Sequence, residues 1–233
     1  IIKKYFSKSI PLADHKFSAL HYAVWSWWTF LYVPAWVQID EPLQSYFRMN
    51  VKSWGQFEHT LIILEEDSKA HYIEWCSAPK YDKNSLHAGW VEIFVGKNAF
   101  MRYSSVENWS LDTFNLNTKR AIIQENWHIE WVWGNLWSNT TMLYPCSVLL
   151  WDNSSAEHLG IAFANAGQNQ DTWVKVIHIW KNTKSNIVSK SLSKWGWVST
   201  YRGLVDIKPN AIWSISKIDC DWLMLDSFSV NNA

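Results

Sequence analysis

Three thiols are the residues of this chain best suited to chemistry: Cys76, Cys146 and Cys220. An odd, widely scattered set is no disulfide framework, and without a CxxC pair it is no zinc pattern either. Such usage fits a reducing compartment, where a thiol can ligate a soft metal or carry sulfur. Cys220, in Ile218-Asp219-Cys220-Asp221, is expected on a strand and is the first candidate. The plain alternative is a small buried hydrophobe, which free Cys often is. Its Asp neighbours should raise the thiol pKa, so reactivity would need an electropositive group from elsewhere in the fold. Cys76, in Glu74-Trp75-Cys76-Ser77-Ala78-Pro79, is the second candidate. Cys146 follows Tyr144-Pro145 and is read as structural. Arg48 and Asn50 alternate with Phe47 and Met49, which places both polar side chains on one strand face. A buried Arg there would need partners.

Other chemistries are excluded by what is missing. The eight His form no HxH or HExxH cluster, and there is no GxxxxGK[ST] loop and no GxSxG elbow. His178 and most of the others are read as surface or satisfied structural residues. Lys+Arg and Asp+Glu are both 21, so the whole chain lacks the basic footprint of a nucleic-acid binder. No apolar run approaches the ~18–20 residues that span a bilayer. The N-terminus, Ile1-Ile2-Lys3-Lys4, carries no secretory signal and no initiator Met, so the chain is expected to be a fragment.

The elements that would position these residues are mostly strands. A hydrophobic content of 48% over 233 residues supplies a sizeable core. Short alternating segments predict strands at Thr29–Val33, Leu61–Leu64, His71–Trp75, Val91–Val95, Met101–Val106, His128–Val132 and Thr141–Leu150. Others fall at Gly160–Ala164, Val174–Ile179, Asn186–Ser191, Thr200–Ile207 and Lys217–Leu225. Turns are expected at Glu65-Glu66-Asp67-Ser68, Asp82-Lys83-Asn84, Gly96-Lys97-Asn98, Asp152-Asn153-Ser154 and Lys208-Pro209-Asn210. Leu111–Ile122 is the one segment with a helical pattern, expected to be partly helical. No linker divides the chain, so one all-β domain over 1–233 is expected. A sandwich, a barrel and a parallel β-helix all remain compatible with this periodicity. The scarcity of hairpin turns such as Asn-Gly favours a solenoid.

An ordered series of motifs then narrows the choice. It runs through Tyr32-Val33-Pro34, Pro42-Leu43-Gln44-Ser45-Tyr46-Phe47-Arg48-Met49-Asn50 and Gly55-Gln56-Phe57-Glu58-His59-Thr60-Leu61. It continues with Cys76-Ser77-Ala78-Pro79, Asn108-Trp109-Ser110, Thr118-Lys119-Arg120-Ala121 and Gly167-Gln168-Asn169-Gln170-Asp171. Tyr201-Arg202-Gly203-Leu204-Val205 and Cys220-Asp221 close it. Together these resemble the SufB/SufD family of iron–sulfur cluster assembly proteins of the SUF system. The segments around Arg48, Cys76 and Cys220 look more like its SufB branch. The resemblance implies a right-handed parallel β-helix core with little helix. It implies a scaffold, not an enzyme with turnover, on which a transient iron–sulfur cluster of the [4Fe-4S] type is built, with reduced flavin in the complex. Cys220 would be cluster ligand and sulfur acceptor, and Cys76 would receive sulfur first. Arg48, Asn50, Glu107, Trp109 and Lys119 would line a polar sulfur passage, Glu107 standing where the family often has Gln. The implied partners are a SufC-like ATPase, a SufD-like paralogue or second SufB copy, and the sulfur donor of a cysteine desulfurase system. No nucleic acid and no membrane are implied.

Two departures from that pattern stand out. The family continues into a C-terminal helical region that docks the ATPase, whereas this sequence ends at Asn231-Asn232-Ala233. Trp also stands at family Gly positions: Trp27, Trp28, Trp36, Trp75, Trp137, Trp151 and Trp195 or Trp197. Trp90, Trp133, Trp173 and Trp222 replace small or polar residues, while Trp25, Trp109 and Trp131 fit the pattern. With 19 Trp against 8 Gly, one explanation is altered decoding, since GGA and TGA differ by one base and TGA can be read as Trp. The written Trp would then not all be the residues made, and intact mass would decide.

The abundance of Asn, Lys, Ile and Ser, with that decoding, points to an AT-rich plastid such as an apicoplast, a bacterial cytoplasm being the alternative. Two rival readings of function remain: a Trp-rich β-sandwich or solenoid binding carbohydrate through exposed aromatic faces, and a non-functional remnant.

Overall fold

The structure is a computed structural model that describes residues 1–51, 54–80 and 84–232. Two short helices, α1 (Ile2–Tyr5) and α2 (Lys16–Val24), precede the strands. They are β1 (Trp27–Val33), β2 (Leu43–Arg48), β3 (Gly55–Leu64), β4 (Lys69–Ser77), β5 (Ser85–Val95), β6 (Phe100–Asn108) and β7 (Thr113–Ile123). There follow β8 (His128–Asn135), β9 (Thr140–Leu149), β10 (Ser155–Ala164), β11 (Asn169–His178), β12 (Lys184–Ser193), β13 (Val198–Ile207), β14 (Ile215–Met224) and β15 (Val230–Asn232). Odd strands pair only with odd and even only with even, giving an eight-stranded sheet β1-β3-β5-β7-β9-β11-β13-β15 and a seven-stranded sheet β14-β12-β10-β8-β6-β4-β2. Every strand pair is parallel. The chain therefore alternates between two facing sheets and advances one rung per coil: a parallel β-solenoid of about seven coils.

The turn from odd to even strand repeats with the coil. Trp36, Asp67, Asn98, Asn126, Asn153, Asn182 and Trp213 all have positive φ, between 54° and 68°. Their N–H groups tie the column together, each donating to the following turn: Trp36 to Glu66 O, Asp67 to Lys97 O, Asn98 to Glu125 O, Asn126 to Asp152 O, Asn153 to Lys181 O and Asn182 to Ile212 O. Asn and Asp tolerate this left-handed conformation because their short side chains bond locally. Trp has no such compensation. The expected turns at Glu65–Ser68, Gly96–Asn98, Asp152–Ser154 and Lys208–Asn210 all lie at these corners. In the Asp82-Lys83-Asn84 turn, Asp82 and Lys83 lie outside the described residues.

One expectation fails. Leu111–Ile122 is not helical: residues 113–123 form the strand β7, flanked by β5 and β9. Asn115, Asn117 and Lys119 interrupt its apolar alternation, and all three are buried inside the solenoid. The apolar half of the interior holds Ile62, Val91, Ile93, Met101, Ala121, Ile129, Trp131, Val174 and Ile187.

The outer face of β3, β5 and β7 is covered by the first residues of the chain. Buried Glu92 accepts from the Ser7 and Ser9 N–H groups at 2.6 and 2.7 Å, from Ser9 Oγ, and pairs with His59 at 2.9 Å. His21 reaches His59 at 3.2 Å and stacks on Trp90. Arg120 holds Asp14.

Two predictions follow from these positions. At Trp36, Trp195 (φ 61°) and Trp213 the backbone favours glycine, and the side chains are 70%, 60% and 74% exposed. Each Trp→Gly change is expected to stabilise the fold by about 0.5–1 kcal/mol, read by urea denaturation.

The second concerns acid. Burial depresses His21 and His158 to about 3 and His178 to about 4. Their folded values lie below the unfolded value near 6.5, so their stabilisation is complete above pH ~6.5 and is lost as pH falls below it. His87, whose pKa is raised, acts in the opposite sense but above pH ~6.5, its stabilisation being complete below that value and lost as pH rises. The unfolding free energy is expected to fall between pH ~6.5 and pH ~5, by on the order of 1 kcal/mol per pH unit for each of these three His, and the melting temperature with it. His158→Gln should flatten that slope.

Candidate functional site

Cys76, near the C-terminal end of β4, sits inside the solenoid at 1% exposure. Strand register sets it between Phe47 of β2 and Glu107 of β6. Alternation along β4 turns Glu74 to the same side, and Glu74 is also buried. The facing sheet supplies Glu58 from β3, His87 from β5, and Asn115, Asn117 and Lys119 from β7, all buried. Trp109, just past β6, packs against His87 with the rings tilted and their centroids 4.2 Å apart. The result is a closed polar chamber.

Its hydrogen bonds are dense. Lys119 Nζ donates to Glu74 Oε1 at 3.2 Å and lies 3.7 Å from Glu107 Oε1. Glu107 also accepts from Trp109 Nε1 at 3.3 Å, from Asn117 Nδ2 at 3.0 Å and from Asn115 Nδ2. His87 Nδ1 bonds Asn115 Oδ1 at 2.7 Å, and His87 Nε2 pairs closely with Glu58 Oε1. Gln56 Nε2 donates to the other Glu58 oxygen at 3.1 Å.

Burial first, and then the Glu74, Glu58 and Glu107 carboxylates, push the Cys76 thiol well up; Lys119 pulls the other way and is outweighed. The Lys119 ammonium is opposed by burial, yet Glu74 and Glu107 hold its pKa above the usual value. His87 is likewise raised, Glu58 outweighing burial.

Of the sequence candidates, Cys76, Glu107, Trp109 and Lys119 meet here. Arg48 and Asn50 do not line the interior: both are exposed, because Phe47, not Arg48, is the residue of β2 in register with Cys76. Arg48 Nε donates to Asn50 Oδ1 at 2.9 Å. The two border a cleft of about 440 Å³ together with Trp27, Trp28, Tyr46, Phe47, Met49, Trp54 and Gln56. Phe47 and Met49 pack on Cys76 from that side, so the cleft leads to the chamber wall.

Cys220 lies elsewhere. On β14 it is five rungs from β4, about 24 Å along the stack at ~4.8 Å per rung. It is partly buried, beside Tyr201. Burial raises its pKa first, then Asp221 and Asp219; the Tyr201 hydroxyl and Lys190 act against them. The anticipated effect of the Asp neighbours is present, but burial is the larger cause. The inward row that reaches Cys220 runs Glu74, Ser105, Trp133, Gly160, Ser189. A Cβ at Gly160 would collide with the Trp133 indole, so Trp133 fills this row midway. Cys146 is buried on the outer face in register with Arg120.

Glu58, Glu74, His87, Asn115 and Asn117 were not singled out from the sequence. Glu74 was within reach, two residues before Cys76 on an expected strand. His87 and Asn115 become neighbours only through rung pairing.

Fold and site together define a parallel β-solenoid with a thiol enclosed among carboxylates, an imidazole and an ammonium. The sequence profile described as SUF system FeS cluster assembly, SufBD core domain, matches residues 47–233, and the chain belongs to that family. Over 232 residues, all of this chain, it is 49% identical to an iron-sulfur cluster assembly SufBD family protein of Staphylococcus aureus (strain MRSA252). It is 48% identical over the same length to one of Staphylococcus saprophyticus. The chain spans about half the length of these curated relatives. Both are bacterial, which supports the bacterial alternative and lends nothing to a plastid source. No helix among the described residues is long and apolar enough to cross a membrane.

The chamber predicts its own dependence on Lys119. Lys119→Met leaves Glu74 and Glu107 buried without their ammonium, at a cost of roughly 3–5 kcal/mol. Urea unfolding beside the parent chain measures this. A loss below about 1 kcal/mol would mean the carboxylates do not need the ion pair.

Proposed function

We propose that the chain is the core of a SufB-like scaffold on which an iron–sulfur cluster is assembled. The observation that carries this reading is the enclosed Cys76 chamber within a SufBD core fold. Cys76 takes sulfur from a donor persulfide. Its sulfur bonds the donor's terminal sulfane sulfur, the donor's S–S bond breaks, and the proton from Cys76 leaves with the donor thiol. Cys220, partly exposed and beside Tyr201, is the cluster ligand, and iron and sulfur are substrates there. A SufC-like ATPase and a SufD-like chain or second copy would supply the motion and the remaining ligands. Arg48 and Asn50, at the cleft, fit a docking role for the sulfur donor better than a role in an internal passage.

Anaerobic reconstitution with iron and sulfide tests the reading. The chain should develop sulfur-to-iron charge-transfer absorption in the visible, and Cys220→Ala should lose most of it. Equal absorption in the variant would remove Cys220 from the cluster. Saccharide quenching of Trp fluorescence, with no response to iron or sulfide, would favour carbohydrate binding instead.

A further inference from the structure

Within the chamber, Glu58, Cys76 and His87 form a set of their own. They come from three strands on two sheets, all three are buried, and one ligand-type atom from each lies within 4.8 Å of the other two. We infer that this trio is a binding site for one divalent transition-metal ion of borderline softness, ferrous iron being the ion that cluster assembly would supply. The ligands are a Glu58 carboxylate oxygen, Cys76 Sγ and His87 Nε2.

The donor set carries the argument. Carboxylate, thiolate and imidazole together suit Zn²⁺, Co²⁺ or Fe²⁺, while a thiolate disfavours Mg²⁺ and Ca²⁺. Each harder ligand is oriented from behind as metal ligands usually are. His87 Nδ1 is engaged by Asn115 Oδ1, which leaves Nε2 facing Glu58, and the second oxygen of Glu58 is held by Gln56. Among the described residues no hydrogen bond reaches Cys76 Sγ, so its lone pairs are free. Asn117 Oδ1 is buried without a partner and lies over Gly89 beside the His87 ring, where a Cβ at Gly89 would strike it.

Charge points the same way. Glu58, Glu74 and Glu107 outnumber the cations that Lys119 and His87 provide. The cleft is the approach from outside: Gln56 borders it and bonds Glu58, and Phe47 and Met49 stand between it and Cys76.

The site goes beyond the sulfur-acceptor role of Cys76 and does not depend on a cluster at Cys220. Anaerobic titration of the chain with Co²⁺, without sulfide, tests it. One Co²⁺ per chain should give a near-ultraviolet thiolate-to-cobalt charge-transfer band with visible d–d bands, and should raise the melting temperature. Cys220→Ser and Cys146→Ser should keep all of these. Cys76→Ser, nearly isosteric, should keep the metal-free circular dichroism and melting temperature but lose the charge-transfer band. His87→Gln should weaken binding by at least about tenfold. A band that survives in Cys76→Ser, a band lost in Cys220→Ser, or no thiolate band at all would each overturn the site. Failure here would leave the Cys220 reconstitution result untouched, so the two readings fall separately.

Discussion

In-register parallel stacking of the coils is the constraint from which the rest follows. Each rung sits ~4.8 Å from the next, so a side chain that points inward meets its counterparts on neighbouring rungs and the side chains of the facing sheet. The interior is narrow, and a buried polar group there is satisfied by a group one rung away or on the facing sheet. Glu107 shows the consequence. It cannot reach water, and it is satisfied only because Trp109, Asn115, Asn117 and Lys119 come from its own coil and the facing sheet. The chamber is a stack of obligations that no single strand could meet. The N-terminal segment supports the same rungs from outside, through Glu92 on β5 and Arg120 on β7.

Within that frame, the charge arrangement decides the state of Cys76. One buried ammonium beside three buried carboxylates does not make a nearby thiol acidic, and the balance runs towards the thiol form. A cationic Lys119 by itself favours a thiolate nearby. It does act in that direction, but Glu74 and Glu107 neutralise it first. The resting chamber therefore stores a protonated sulfur, shielded from oxidants by burial and low thiolate character. Its reactivity is conditional on something that changes the local charge. A cation entering between Glu58 and His87 would do so, and so would a sulfur donor that takes up the proton. Cys220 is held high by burial and two flanking carboxylates, but Tyr201 and Lys190 oppose them and it reaches solvent more readily.

What the sequence revealed divides along this same polar boundary. Apolar alternation located Leu61–Leu64 and Val91–Val95, yet the strands begin at Gly55 and Ser85. The missing halves carry Gln56, Glu58, His87 and Gly89, whose inward faces are polar or empty, so hydrophobic periodicity could not register them. In β7 the same cause produced a wrong element, since Asn115, Asn117 and Lys119 broke the alternation. The corners at Asp67, Asn98 and Asn153 were legible because left-handed Asn and Asp favour turns, whereas their alignment in one column appears only once the rungs are stacked. Neither sandwich, barrel nor solenoid could be chosen from periodicity; the ordered motifs made that choice. Cys76, Glu107, Trp109 and Lys119 were legible through those motifs, whereas Glu58 and His87 needed the pairing of strands some thirty residues apart.

The two thiols are separated by the architecture itself. Glu74 and Cys220 lie on one inward row, five rungs apart, with Cys76 two residues beyond Glu74 on the same strand. Trp133 fills that row over Gly160, and close-packed interiors admit no diffusion past such a plug without displacement of the ring. Transfer along that row must therefore wait on movement of Trp133. A smaller side chain at 133 would leave the rung ladders intact and open the row. Along that row it is the indole, not the backbone, that stands between Glu74 and Cys220.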